Sequence, residues 1–199
     1  MLKFKARAFY IVFASIFAVM LFIECDSNPT NSYDDNFTYT GRTVEIGDLT
    51  WMAENLNRNT SDSWCYDNNP SNCALYGRLY AWNAAMTACP SDWRLPTDAD
   101  WDNLVETAGG SNVAGEKLKS KTGWNNDGNG TDEFGFSALP GGGIWGSSLV
   151  AVGIGGGWWS ATEVGTGTAR NRVMEWNVSY VGWFWNGKGV GHSVRCVRD

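Results

Sequence analysis

The sequence has 199 residues, with 15 basic and 21 acidic side chains and a net charge of −6. An acidic chain with dispersed Lys and Arg residues excludes nucleic acid or another polyanion as the main partner. The length suits one domain with a substantial core, because a chain near 150 residues buries roughly two-thirds of the surface that it exposes when unfolded.

The N-terminus has the pattern of an export signal. Three basic residues precede an apolar run over residues 8–23, which is short for a transmembrane span. The run ends just before Cys25, and a Cys followed at once by a polar tract resembles a bacterial lipoprotein signal, in which the thiol is diacylated. We predict a signal peptide over residues 1–24 and lipidation of Cys25, although Glu24 stands where a small residue is usual. An uncleaved anchor and an ordinary secreted chain are the alternatives.

Cleavage after residue 24 would leave a more acidic chain, with 12 basic and 20 acidic side chains and a net charge of −8. Residues 25–40 are polar and have little to bury, so we predict a tether between the membrane and a domain over residues 41–199. The predicted location is the cell envelope, as a membrane-anchored lipoprotein of the outer membrane or the cell surface.

Four cysteines remain in the predicted domain, and an even number in an exported chain favours two disulfide bonds. Three pairings are possible. We predict Cys65 with Cys73, which closes a small loop, and Cys89 with Cys196, which ties the middle of the domain to its last strand. A zinc site is the alternative, but no CxxC spacing occurs and the chain has a single histidine.

The first half of the domain has the pattern of a hairpin followed by helices. Apolar residues at three- and four-residue steps indicate the first helix. Thr97 can cap the second helix, and Gly109 stops it. The predicted elements are a hairpin over residues 43–52 with a Gly47-Asp48 turn, and helices over residues 75–88, 97–108 and 113–119.

Glycine and tryptophan dominate the sequence beyond Thr122, and helical periodicity disappears. Short strands separated by glycine-rich loops are expected there. Helices early and an antiparallel sheet late indicate an α+β fold, in which the first and last strands bring the ends of the domain together. The predicted strands cover residues 158–162, 172–180, 181–185 and 191–197.

Seven motifs identify a family resemblance. They are Trp51–Asn57, Trp64–Asn68, Tyr76–Trp82, Cys89–Pro96, Asn129–Asp132, Phe134–Gly142 and Ser193–Val197. In this order they resemble the Fibrobacter succinogenes major paralogous domain, over about residues 44–199. The family is similar to C-type-lectin-like folds, and residues 94–101 also resemble the start of a helix in formylglycine-generating enzymes. The resemblance implies two main helices packed on a small antiparallel sheet, with long Gly/Trp-rich loops and two disulfides, in an extracytoplasmic domain of unknown activity.

The resemblance carries no catalytic residue to this chain. Formylglycine-generating enzymes use a pair of reactive cysteines, whereas Cys196 is better explained as the disulfide partner of Cys89. His192 has no neighbouring nucleophile motif, and Asp98 with Asp100 is typical of charge at a helix start. We therefore predict that the protein is not an enzyme.

Residues 125–133 form a polar loop with some features of a calcium site. Oxygens at Asn125, Asp127 and Asn129, followed by a glycine, are similar to the first half of a calcium loop, and Asp132 could add a ligand. The bidentate Glu of an EF-hand is missing. The alternatives are a calcium ion and a set of Asx turns without any cofactor. Asn125 and Asp127 are also candidate ligand-binding residues.

The late tryptophans favour a binding role, because flat indole faces stack well on the apolar faces of sugar rings. If residues 183–185 form a strand, Trp183, Phe184 and Trp185 cannot all face one core, since adjacent side chains alternate. We take Trp145, Trp183 and Trp185 as candidate binding residues, with core filling as the alternative. Core filling is the preferred interpretation for Trp51, Trp82, Trp93 and Trp101.

Three functional hypotheses follow. The leading one is a non-catalytic binding domain of a cell-envelope lipoprotein, with a polysaccharide or an envelope protein as its partner. The alternative is a structural or assembly subunit of a surface complex, which buries the same aromatic residues against another protein. The third is an enzyme of the formylglycine-generating type.

Overall fold

The computed structural model describes residues 37–145 and 148–199, without the side chains at 144, 145, 148 and 149. The predicted signal peptide, Cys25 and most of the tether lie outside these ranges. Phe37 and Tyr39, which we assigned to the tether, pack against the domain core. Within the two described ranges, no helix is both long enough and apolar enough to cross a membrane.

The domain is α+β, as predicted, and the described residues form four α-helices and three sheets. The helices are α1 (Pro70–Tyr76), α2 (Trp82–Ala88), α3 (Asp98–Thr107) and α4 (Ser111–Leu118). The strands are β1 (Thr43–Ile46), β2 (Leu49–Met52), β3 (Ser63–Trp64), β4 (Leu79–Tyr80), β5 (Gly143–Trp145), β6 (Ser148–Val150), β7 (Gly155–Gly165), β8 (Thr168–Glu175), β9 (Gly182–Gly187), β10 (His192–Ser193) and β11 (Val197–Arg198).

A three-stranded sheet joins the two ends of the domain in the order β1-β2-β11. The predicted hairpin is confirmed, with Ile46 opposite Leu49 across its turn. β11 adds antiparallel to β2, so that Val197 lies opposite Trp51. This pairing confirms that the first and last strands meet.

The six-stranded sheet has the order β3-β4-β10-β7-β8-β9. Adjacent strands of this sheet are antiparallel, except for β10 and β7, which run parallel to each other. The predicted final strand over residues 191–197 is wrong as one element, because β10 and β11 belong to different sheets. The strand predicted over residues 172–180 is displaced, since β8 ends at Glu175. β9 is an edge of this sheet, which places its side chains at the border of the molecule.

The predicted helix over residues 75–88 is wrong. Two helices occur instead, and β4 lies between them. Gly77 has φ +77, and a Cβ there would lie 2.7 Å from Cβ of Asn55, so the chain needs a glycine with left-handed geometry at this point. Leu75 and Met86, which contributed to the helical pattern, are 58% and 43% exposed.

The start of α3 confirms the predicted cap. Thr97 Oγ1 accepts a hydrogen bond from Asp100 N, and the Asp100 carboxylate accepts one from Thr97 N at 2.7 Å. This reciprocal capping box satisfies two amides that a helix start leaves unpaired. α4 matches the predicted third helix to within two residues.

Two aromatic-rich clusters form the core, one on each side of β7. Trp158 packs in the first cluster with Trp51 and Trp101, whose ring centroids lie 5.0 Å apart. Trp159 packs in the second cluster with Tyr80 and Trp82. The core prediction is therefore confirmed for Trp51, Trp82 and Trp101, while Trp93 is only partly buried.

Both predicted disulfides are confirmed. A buried group of polar side chains lies near the second of them. Cys65 pairs with Cys73, and Cys89 pairs with Cys196. One residue before Cys196, the guanidinium of Arg195 is fully buried and donates to Asn55 Oδ1 from Nε at 3.2 Å and from Nη2 at 2.9 Å.

Asn55 holds this centre together through both ends of its amide. Its Oδ1 also accepts from Trp158 Nε1 at 2.8 Å, and its Nδ2 donates to the carbonyl of Tyr76 at 2.8 Å. Arg195 Nη1 donates in addition to the carbonyl of Phe136. The sequence motifs that begin and end the domain therefore meet in one hydrogen-bonded group.

Candidate binding surface

Three aromatic side chains are exposed on the edge strand β9. Trp183 and Trp185 share one face of the strand, with ring centroids 6.0 Å apart and ring planes inclined by 34°. They are 49% and 58% exposed, and Phe184 is 48% exposed on the opposite face. We call these three residues the aromatic edge. Simple alternation requires only one of them to avoid the core, so exposure on both faces exceeds what alternation alone demands.

Strand register places charged groups beside the two indoles. Arg172 lies opposite Trp183 on β8, and Arg170 lies opposite Trp185. The guanidinium of Arg170 stacks over the Trp183 ring at 4.6 Å. Residues opposite each other on antiparallel strands share one face, so the indoles and the partly exposed Arg170 form one surface, while Arg172 is buried beneath it.

The start of α3 provides carboxylates for the same surface. Asp98 receives Arg172 Nη2 at 2.7 Å and Arg170 Nε at 3.3 Å, and the exposed Asp102 receives Arg172 Nη2 at 2.8 Å. These pairs fix Arg170, which in turn supports one face of Trp183. The result is an exposed aromatic patch bordered by hydrogen-bond donors and acceptors.

The polar loop over residues 125–133 does not present its predicted ligands together. Asn129 Oδ1 accepts from Trp124 N at 3.0 Å, and the Asp132 carboxylate accepts from the N–H and the hydroxyl of Ser137 at 2.6 Å each. In residues 37–145 and 148–199, no group of three or more His, Cys, Asp or Glu side chains is arranged to hold a metal ion. The two alternatives both stay predictions: a calcium ion held by Asn125, Asp127, Asn129 and Asp132, and a loop of Asx turns without a cofactor.

Part of this loop forms one wall of a pocket of about 330 Å³, which we call the polar pocket. The segment between β8 and β9 also lines the pocket, together with Glu116 of α4 and Lys119, which directly follows that helix. The lining residues are Glu116, Lys119, Asn126, Asp127, Gly128, Asn129, Trp176, Asn177, Val178 and Ser179. Asp127 is therefore in a concave site, while Asn125 is not among its lining residues.

Lys119 ties the pocket walls together. Its buried Nζ donates to the carbonyls of Glu175, Trp176 and Val178 at 3.1, 3.4 and 3.0 Å. Burial lowers the pKa of this ammonium group. A positive charge is consequently fixed beside the loop, where it opposes a second cation.

The residues considered for catalysis have structural contacts. His192 is fully buried against Trp159, with Nε2 2.9 Å from Asn186 Nδ2, and burial lowers its pKa to about 3. It is therefore neutral at physiological pH. Cys89 and Cys196 are joined as a disulfide.

The remaining residues of interest are one predicted binding residue and three pocket residues that were not predicted. Trp145 ends β5, and its side chain lies outside the described part of the chain. Sequence analysis missed Glu116 and Asn177 as lining residues, because only tertiary packing brings α4 beside the segment after β8. Trp176 was noted as one of the late tryptophans but was not assigned to a site.

Comparison with known protein families gives a match over most of the chain. A family model described as the Fibrobacter succinogenes major domain matches residues 44–198. The match spans all four helices and nearly all of the strands. No curated protein matches the chain.

Proposed function

The chain belongs to the Fibrobacter succinogenes major domain family, and from this premise we propose a non-catalytic, extracytoplasmic domain that holds a polysaccharide on its aromatic edge. The main support is the exposed pair Trp183 and Trp185, whose rings lie 6.0 Å apart on one face of β9. Exposed indoles of this kind are costly in water unless a partner covers them.

Polysaccharide is the preferred partner because the surface combines the two features that sugar rings require. The indole faces suit the apolar faces of the rings. Arg170 and Asp102 lie at the border of the patch, where they can donate to and accept from hydroxyl groups. Arg170 also supports one face of Trp183, which reduces the entropy lost on binding.

The proposal includes the cell-envelope location. A lipidated Cys25 would anchor the domain at the outer membrane or the cell surface. The two disulfides support export, because such bonds persist in oxidising compartments. A C-type-lectin-like fold belongs to the same proposal and is supported by the β1-β2-β11 sheet, which joins the two ends of the domain.

A pull-down with insoluble polysaccharides tests this proposal. We expect Trp183→Ala and Trp185→Ala each to weaken retention about tenfold, the effect of ~1.4 kcal/mol at a binding hot spot. Leu75→Ala is the matched control, since it also removes an exposed apolar side chain but lies on α1. Unchanged retention of both Trp variants on every polysaccharide that binds the wild type would refute the proposal.

Protein assembly is the second candidate function, and a specific observation favours it. β9 is a sheet edge with no charged residue or proline, which are common devices against edge-to-edge pairing. Phe184 adds an exposed ring on the face away from the indole pair. Sedimentation velocity of the wild type and Phe184→Lys separates the two functions: assembly predicts loss of a larger species, whereas polysaccharide binding predicts a monomer in both.

An enzyme of the formylglycine-generating type is the least supported alternative. Such chemistry needs free thiols, and Cys89 and Cys196 are paired with each other. Peptide mapping under non-reducing conditions tests this point. A recovered Cys89–Cys196 peptide favours the binding domain, and free thiols at both positions would reopen redox chemistry.

A further inference from the structure

We infer that the polar pocket is a second binding site, which takes one neutral sugar residue or a polyol of similar size without a metal ion. This inference deepens the proposed function by adding a ligand site that is separate from the aromatic edge. The pocket, of about 330 Å³, combines side chains from α4, from the loop at residues 126–129 and from the segment at residues 176–179. Three segments converge on this open and mainly polar depression, whose lining suits a small ligand rich in hydroxyl groups.

The pocket offers free hydrogen-bonding groups. The side chains of Asn126, Asp127 and Asn177 line it, and none of them makes a hydrogen bond to another described residue. Asn129 uses its Oδ1 to accept from Trp124 N, so its amide N–H groups point to other acceptors. Amides both donate and accept, and a carboxylate accepts. This mixture matches hydroxyl groups, which themselves donate and accept.

The charges in the pocket favour a neutral ligand. Glu116 and Asp127 would repel an anion such as phosphate or sulfate. The ammonium of Lys119 offsets one of these two carboxylates, and its Nζ is already bound to three carbonyls of the facing segment. A polyhydroxylated molecule carries no charge that the carboxylates would repel.

Trp176 is held in a fixed position at the edge of the pocket. Its ring packs against the first core cluster, and its backbone N–H donates to the carbonyl of Ile154 at 2.9 Å. Gly128 lies so close that a Cβ would overlap the Trp176 carbonyl. The loop can therefore approach the backbone of Trp176 only with a glycine at this position, so the two walls of the pocket are packed together before a ligand arrives.

Ligand-observed NMR with a panel of methyl glycosides at millimolar concentration tests the inference. We expect at least one methyl glycoside to bind the wild type, with the same affinity in calcium and in EDTA. Asp127→Ala and Asn177→Ala should weaken that binding at least tenfold, and both substitutions are at exposed positions that leave the core intact. Leu75→Ala should bind like the wild type.

The variants of the aromatic edge separate this inference from the proposed function. Trp183→Ala/Trp185→Ala should lose the insoluble polysaccharide and keep the methyl glycoside. Loss of glycoside binding in this double variant, no binding of any glycoside to the wild type, or undiminished binding in both pocket variants would each overturn the inference. Polysaccharide retention that is independent of Trp183 and Trp185 would refute only the proposed function.

Discussion

Arg195 is a buried cation held by neutral oxygens. It donates to Asn55 Oδ1 and to the carbonyls of Phe136 and Ser137, and its guanidinium stacks on the Phe136 ring at 4.2 Å. Desolvation lowers its pKa to about 9, so the group remains charged near neutral pH. The fork of a guanidinium is what allows one side chain to reach oxygens in different directions.

We expect Arg195→Lys to lower the free energy of unfolding by about 2 to 4 kcal/mol, because an ammonium cannot reach all of these oxygens and leaves some of them buried and unpaired. Urea unfolding measures the effect. Arg198→Lys is the control, since that residue is exposed and stacks on Trp93 at the surface. Equal stability of Arg195→Lys and the wild type would contradict this account of the buried centre.

Burial of His192 predicts that the folded domain loses stability as the pH falls. Its folded pKa of about 3 lies below the ordinary 6.5, so the unfolded chain binds the proton more tightly. Stability is therefore fully present above pH 6.5 and falls as the pH drops toward 3, by up to about 1.4 kcal/mol per pH unit. Thermal unfolding between pH 7 and pH 4 measures this slope. His192→Gln should show a shallower slope over that range, and an unchanged slope would assign the acid sensitivity to other groups.

The two disulfides differ in the length of chain that they close. Cys89–Cys196 spans 107 residues and Cys65–Cys73 spans 8. The chain-entropy relation gives about 4.8 and about 2.6 kcal/mol for the two loops. We expect Cys89→Ala/Cys196→Ala to destabilise the domain more than Cys65→Ala/Cys73→Ala, as measured by chemical denaturation. The reverse order would show that local packing outweighs loop entropy here.

We predict that a chelator does not change the thermal stability of the domain, on the basis of the loop over residues 125–133. Two of its proposed calcium ligands already accept local hydrogen bonds, and Lys119 places a positive charge next to the loop. We expect EDTA to leave the melting temperature unchanged. A fall in the melting temperature that added calcium reverses would establish the ion that the sequence pattern suggested.

At the level of elements, the sequence predicted what depends on neighbours along the chain. The hairpin about Gly47-Asp48 and the cap at Thr97 are local features, and both were correct. The helix over residues 75–88 was wrong because contacts with the distant Asn55 impose a left-handed turn at Gly77. The division of the predicted final strand into β10 and β11 could not be predicted either, because these two strands pair with different strands far away in the chain.

The candidate site also has features that depend on neighbouring residues and features that depend on distant ones. Exposure of at least one ring of the aromatic edge could be predicted, because adjacent side chains of a strand alternate between its faces. Exposure on both faces could not, since it depends on the position of β9 at the edge of the sheet. The polar pocket could not, since Glu116 and Asn177 belong to segments that only the folded chain brings together. Asp127 was selected for calcium chemistry, and its position in the pocket gives it a different proposed role.

At the level of the whole molecule, one strand divides the core. Trp158 and Trp159 are consecutive residues of β7, and each belongs to a different core cluster. We therefore expect a single cooperative unfolding transition in calorimetry, with equal calorimetric and van't Hoff enthalpies. Trp158→Leu and Trp159→Leu should each lower that one transition. Two separate transitions would show that the clusters unfold independently.

The position of β11 has a consequence for biogenesis. β2 is synthesised early, but its partner Val197 and the disulfide partner of Cys89 come only at the end of the domain. If the chain is exported as proposed, neither the small sheet nor the buried Arg195 centre can form while the chain is being threaded through a translocation channel. The domain would then close only after its last strand has emerged, on the side where its cysteines can be oxidised.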